Sequence, residues 1–109
     1  MKLVRDNIPK LNEEGKLKPR TGSSREDYSF RPVASDEEHI LLLRLKLAEE
    51  VGEVLSAPSR SELISEIGDL LDVIDALCDL SGIDPREVEM AINAKAVRLG
   101  GFEKGWVLK

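Results

Sequence analysis

Two stretches of helical hydrophobic period meet at a single proline turn, and that junction restricts the fold more than any other feature of the chain. The first stretch begins near Ser35 and repeats Ile40, Leu43, Leu47, Val51 and Val54, the recurrence of a 3.6-residue helix. Ser35 and Glu38 have capping-box spacing, and Asp36 and Glu37 suit the positive end of a helix. Pro58 stops the pattern, with Ser56, Ser59 and Ser61 around the turn. The second stretch covers roughly Ser61 to Leu80. Its apolar set, from Leu63 and Ile64 to Cys78 and Leu80, spans a wider arc than one neighbour covers. Contact with several elements is therefore predicted, another subunit among them. A connection this short makes the two helices antiparallel neighbours.

A third helix starts at Asp84, a good N-cap, with Pro85 at the first helical position and Glu87 completing the box. It runs to Leu99 and ends at Gly100-Gly101. Residues 1–12 mix charged and apolar side chains, and Pro9 interrupts any simple helix or central strand there. Residues 13–34 read as a loop or mobile arm, with Tyr28, Phe30 and Val33 as candidate anchors. The expectation is one all-α domain over residues 1–109. An antiparallel helical hairpin forms its core, a third helix extends it, and the whole assembles into a helical-bundle oligomer.

Composition narrows the function. A chain of 109 residues with 41% hydrophobic and 34% charged side chains is globular, and its modest core favours oligomerisation. The net charge of -5 argues against a nucleic-acid polymer as partner. It leaves room for a small phosphorylated ligand, because a bound cation reverses the local field. Cys78 is the only cysteine, which excludes an intrachain disulfide and reads as a small apolar residue. No stretch is long enough to span a membrane, so a cytoplasmic protein is expected.

Four carboxylates carry the chemistry: Glu50-x-x-Glu53 on the first helix and Glu66-x-x-Asp69 on the second, with Glu49 preceding the first pair. Spacing of three places both members of a pair on one face, about a turn apart. At 100° per residue, Glu50 borders the first stripe, Glu66 lies among Leu70, Val73 and Leu77, and Asp69 borders Val73. Glu53 lies a step further out, and Glu49 further still. The bland alternative is a solvated acidic face. Such a face carries Lys or Arg at i+4, whereas Val54, Leu70 and Val73 follow Glu50, Glu66 and Asp69 at that distance. Lys46 precedes Glu49 and Glu50 and gives some relief from behind. Clustered carboxylates against apolar surface raise one another's pKa or take up a cation. With no His or Cys in the set, Mg²⁺ or Mn²⁺ is favoured over zinc. His39, the only histidine, is expected at the surface.

Lys95 falls inside the apolar stripe of the third helix, formed by Val88, Ile92 and Leu99, and Arg98 lies near its edge. Lys95 is either a side chain that snorkels over the core or a cation aimed at an anionic ligand. Arg5 and Lys104 could add to such a set. A carboxylate cage with cations nearby suits phosphate-ester chemistry: a metal activates water and bridges phosphate oxygens, and Lys or Arg steadies the leaving diphosphate. Glu49 could orient or deprotonate the water. Phe102, Trp106, Tyr28 and Phe30 are the aromatics able to stack on a base, and each also serves simple packing.

The string from Glu49 to Asp69 resembles the signature of the all-α nucleoside triphosphate pyrophosphohydrolases, a superfamily that includes MazG-like enzymes, dimeric dUTPases and phosphoribosyl-ATP pyrophosphohydrolase. Residues 2–9, KLVRDNIP, resemble the KLVRDKIP opening of a small MazG-like subgroup, and RLGGFEKGWVL from Arg98 resembles its C-terminus. Asn7 stands where that subgroup has lysine, and Gly52 separates the first pair. The resemblance implies hydrolysis of nucleoside triphosphates between the α- and β-phosphates, with Mg²⁺, to a monophosphate and diphosphate. It implies Glu50, Glu53, Glu66 and Asp69 as metal ligands; Glu49 and Glu50 are the candidate catalytic carboxylates. It also implies a homodimer or homotetramer with sites near subunit interfaces. The expected role is house-cleaning of non-canonical nucleotides; the alternatives are phosphoribosyl-ATP hydrolysis in histidine biosynthesis and a non-catalytic helical binding module.

Overall fold

In the computed structural model, which describes residues 1–17 and 28–109, α1 spans Ile8–Glu13, α2 Asp36–Ser56, α3 Arg60–Leu80 and α4 Pro85–Leu99. The described residues contain no strand. Local chemistry sets the helix starts. Ser35 Oγ accepts from the Glu38 N–H at 3.1 Å, and Ser59 Oγ accepts from the Glu62 N–H at 3.2 Å. The Ser35 box is half formed: Glu38 reaches the Ala34 N–H at 3.0 Å and pairs with Arg31. At α4 the box is complete, with Asp84 accepting from Arg86 N–H and Glu87 accepting from Asp84 N–H, both at 2.9 Å.

Pro9 does not interrupt a helix; it sits in the first turn of α1, where its missing N–H has no intrahelical partner to lose. Of the expected arm, residues 14–17 and 28–34 form no helix or strand, and residues 18–27 lie outside the described residues. Tyr28 and Phe30 meet edge to face, with ring centroids 6.4 Å apart.

The α2–α3 hairpin is the fold's packed unit. Leu42 and Leu43 are its buried apolar residues, at 8% and 3% exposure. Leu70, Val73, Ile74 and Leu77 of α3 are half-buried, while Ile64, Ile67 and Leu71 on the outer arc are exposed. Every residue of α4 and of the tail beyond it is exposed, so α4 extends the hairpin rather than packing along it. The radius of gyration, 17.8 Å, exceeds the roughly 13 Å of a compact domain of this length.

Candidate metal centre

Glu50 follows Leu43 by two helical turns, so α2 turns it onto the buried face. At 7% exposure it is the one buried charged residue among those described. Across the hairpin, α3 presents Glu66 and Asp69, both half-buried. One oxygen from each of Glu50, Glu66 and Asp69 lies within 4.8 Å of the other two. That spread is close to the about 4.2 Å between opposite oxygens around Mg²⁺. The donor set is all carboxylate oxygen, which suits a hard divalent cation. Electrostatics agree: partial burial, then the charges of Asp69, Glu53 and Glu50, push the Glu66 carboxyl above its usual range. A bound cation relieves that cost.

Glu53 stands outside this trio and is exposed, although its charge is felt at Glu66. Glu49 is not a member of the trio and pairs with two lysines. Lys2 Nζ is 2.7 Å from Glu49 Oε1, and Lys46 Nζ is 3.5 Å from Oε2. The Lys2 hydrogen bond, with help from Lys46, holds Glu49 below the usual carboxylate range. Lys46 also stands 3.6 Å from Glu50.

Arg5 is the member of the expected cation set that reaches the cluster. Its Nη2 is 2.7 Å from Asp69 Oδ1, and its Nη1 is 3.0 Å from Asp72 Oδ2. A cleft of about 480 Å³ runs between the chain start, α2 and α3, with Arg5, Lys46, Glu50 and Asp69 in its wall. Lys95, Arg98 and Lys104, on α4 and the tail, are not among its lining residues and are exposed.

Sequence reasoning passed over Lys2 and Asp72 and placed His39 at the surface. Asp72 was visible as a continuation of the Glu66, Asp69 spacing by three more residues. His39 shares a face of α2 with Leu43, Lys46 and Glu50; it is half-buried in the cleft wall, not at the open surface as expected. Lys2 gave no signal, because the path of the irregular chain start decides its position.

A helical hairpin that gathers carboxylates from both arms, beside a cleft lined by Lys2, Arg5 and Lys46 as well as Asp6 and Asp72, defines an all-α protein with a candidate metal centre. The family model of phosphoribosyl-ATP pyrophosphohydrolase matches residues 15–96, and with three-quarters of its length covered the chain belongs to that family. It is therefore a MazG-like all-α pyrophosphohydrolase, a hydrolase acting on phosphoric anhydrides, and the reading as a non-catalytic binding module is set aside. The matched range holds all the acidic residues of the cluster and excludes Arg5, Arg98 and Lys104. No curated protein and no solved structure gives a significant match. Among the described residues, no helix is long and apolar enough to cross a membrane.

Proposed function

We propose that this chain is a Mg²⁺-dependent nucleoside triphosphate pyrophosphohydrolase. It hydrolyses between the α- and β-phosphates, releases a monophosphate and diphosphate, accepts Mn²⁺ in place of Mg²⁺, and clears non-canonical nucleotides from the cytoplasm. The observation that carries this reading is the convergence of Glu50, Glu66 and Asp69 from the two arms of the hairpin.

Glu50, Glu66 and Asp69 hold the cation, and Glu53 joins them from one turn along α2. When bound, the cation polarises phosphate oxygens and makes water acidic enough to attack at neutral pH. Glu49, charged and steadied by Lys2, orients that water or takes its proton. Arg5, in the cleft wall, is held by Asp69 and Asp72, and charge on the leaving diphosphate is countered by Lys95, Arg98 and Lys104. The last three reach the ligand by assembly. The exposed apolar residues of α4 and the outer arc of α3 are the surfaces that a homodimer or homotetramer would bury.

A second reading, hydrolysis of phosphoribosyl-ATP in histidine biosynthesis, is favoured by the description of the matching family. Both readings share the metal centre and differ in what fills the cleft beyond the phosphates. A panel of canonical nucleotides, damaged nucleotides and phosphoribosyl-ATP, assayed for diphosphate with Mg²⁺, separates them. Release from phosphoribosyl-ATP alone selects the second. No release from any member, with no Mg²⁺-induced rise in melting temperature, overturns both.

A further inference from the structure

The chain start crosses the mouth of the hairpin as a strap with one tie to each arm. Lys2 binds Glu49 on α2, and three residues later Arg5 binds Asp69 and Asp72 on α3. Asp69 and Asp72 are one helical turn apart on a shared face. The two Arg5 nitrogens span them as a fork, a geometry a lysine ammonium does not reproduce. Asp72 is not part of the metal-type trio among the described residues. Its observed partner is Arg5.

The geometry points to Arg5 as a positioning residue for the metal ligand Asp69, held in register by Asp72. The inference rests on the metal centre proposed above and concerns how one of its ligands is aimed. Arg5 takes Oδ1 of Asp69, which fixes the carboxylate plane and leaves Oδ2 free of that bond. Asp72 takes the other guanidinium nitrogen and so prevents Arg5 from swinging about Asp69. The Arg5 side chain is 59% exposed, so water screens its charge and the pair adds little as raw attraction. Its contribution is orientation, the work done by residues that brace metal ligands from behind.

Charge and orientation predict opposite signs for the same substitution. A cation beside a cation site repels the metal, so by Coulomb's law alone removing Arg5 tightens metal binding. Removing a brace loosens it, by about 10- to 100-fold where such residues have been changed. The probe is Mn²⁺ alone, titrated into the purified full chain and followed by the paramagnetic signal of the free ion, with helical content checked by circular dichroism. Arg5→Ala is expected to weaken Mn²⁺ binding about tenfold. Arg5→Lys, which keeps the charge and loses the fork, is expected to follow it. Asp72→Asn is expected to weaken binding in the unmodified chain and to have no further effect once Arg5 is alanine.

Equal or tighter binding by Arg5→Ala overturns the inference and leaves the metal centre standing. So does full affinity in Arg5→Lys, because the two-nitrogen fork is then not what aims Asp69. A loss from Asp72→Asn that persists in the Arg5→Ala background overturns it as well, because Asp72 then acts without Arg5. Failure of the unmodified chain to bind Mn²⁺ removes the metal centre itself, and the inference with it.

Discussion

Lys2 Nζ and Glu49 Oε1, 2.7 Å apart, join the chain start to the outer side of the carboxylate cluster. Glu49 is thereby ionised over a wider range of pH than an isolated glutamate. Stability from this pairing is complete above the ordinary glutamate pKa and is lost as pH falls through the depressed one. Lys2→Gln is expected to raise the Glu49 pKa toward the ordinary value, as read by NMR of its side-chain carboxyl. If Glu49 takes the proton of the attacking water, the acidic limb of turnover against pH moves up with it. A Glu49 that shifts in the NMR titration while the rate profile stays fixed is not the base.

Glu66 has the opposite problem. Partial burial and the carboxylates of Asp69, Glu53 and Glu50 raise its pKa. The folded state therefore binds this proton more tightly than the unfolded chain, so ionising Glu66 costs stability as pH rises through its pKa. Glu66→Gln keeps the shape and removes the charge. Without metal, the variant is expected to melt at a higher temperature than the unmodified protein at neutral pH. With Mg²⁺ the order reverses, because the variant loses the metal-induced rise, and it releases no diphosphate. A variant that turns over at the normal rate is incompatible with Glu66 as a ligand.

The residues that could be read from sequence are those whose positions depend on local spacing. Asp84, Pro85 and Glu87 mark the start of α4 to the residue, because a cap is a contact within one turn. Glu50, Glu66 and Asp69 follow from helical angle once the hairpin is granted. The same angles put Glu53 further out, and it stands outside the trio. Arg5 and Lys2 follow an irregular path before α1 that no period encodes, so their partners on α3 and α2 were not legible. Pro9 misled because a proline breaks a helix interior but suits a first turn, and Asn7 two residues before it is the N-cap that decides between the two. The stripe of α4 was visible, but a stripe does not say what covers it.

The start of α2 is held by a second ion pair. Arg31 Nη1 and Nη2 bond the two Glu38 oxygens at 2.7 and 3.0 Å, and the Ala34 N–H adds a third bond at 3.0 Å. Together, Arg31 first, they lower the Glu38 pKa from 4.5 to about 2. A depressed carboxylate contributes stability that is present above its unfolded pKa and lost as pH falls toward the folded one. Between about pH 4.5 and 2 this contribution should therefore disappear. Arg31→Ala is expected to return the Glu38 titration most of the way to 4.5, leaving the part due to Ala34, and to flatten the acid dependence of stability in that window. An unchanged Glu38 titration would mean that the pair does not form in solution.

Gly82 ends α3 with φ at +69°. The Ile83 N–H reaches the Cys78 carbonyl at 2.9 Å, and the Gly82 N–H reaches Asp79 at 3.2 Å, the two bonds of a Schellman cap. A Cβ at Gly82 meets nothing within 4 Å, so substitution costs backbone strain rather than a clash. Gly82→Ala is expected to destabilise the protein by about 1–2 kcal/mol, the penalty of a left-handed conformation for an L-residue, measured as a lower urea midpoint at constant protein concentration. An unchanged midpoint would mean that the turn relaxes to negative φ without loss.

The last test concerns what covers α4. Val97, Phe102 and Trp106 are more than nine-tenths exposed in the single chain, and Ile92 and Leu99 are 61% and 66% exposed. Large apolar residues exposed in this number mark an interaction site where they form one patch. If copies of the chain cover it, sedimentation of the unmodified protein gives an integer multiple of the chain mass, and the single tryptophan emits as a buried indole. Ile92→Asp places a charge in the stripe that includes Val88 and Leu99. It is expected to lower the sedimenting mass and shift Trp106 emission toward that of indole in water, with helical content retained. On a free helix the same change costs within about half a kcal/mol and alters neither readout. A monomer mass for the unmodified protein, or a multimer indifferent to Ile92→Asp, would remove α4 from the interface and leave Lys95 and Arg98 without a route to the metal centre.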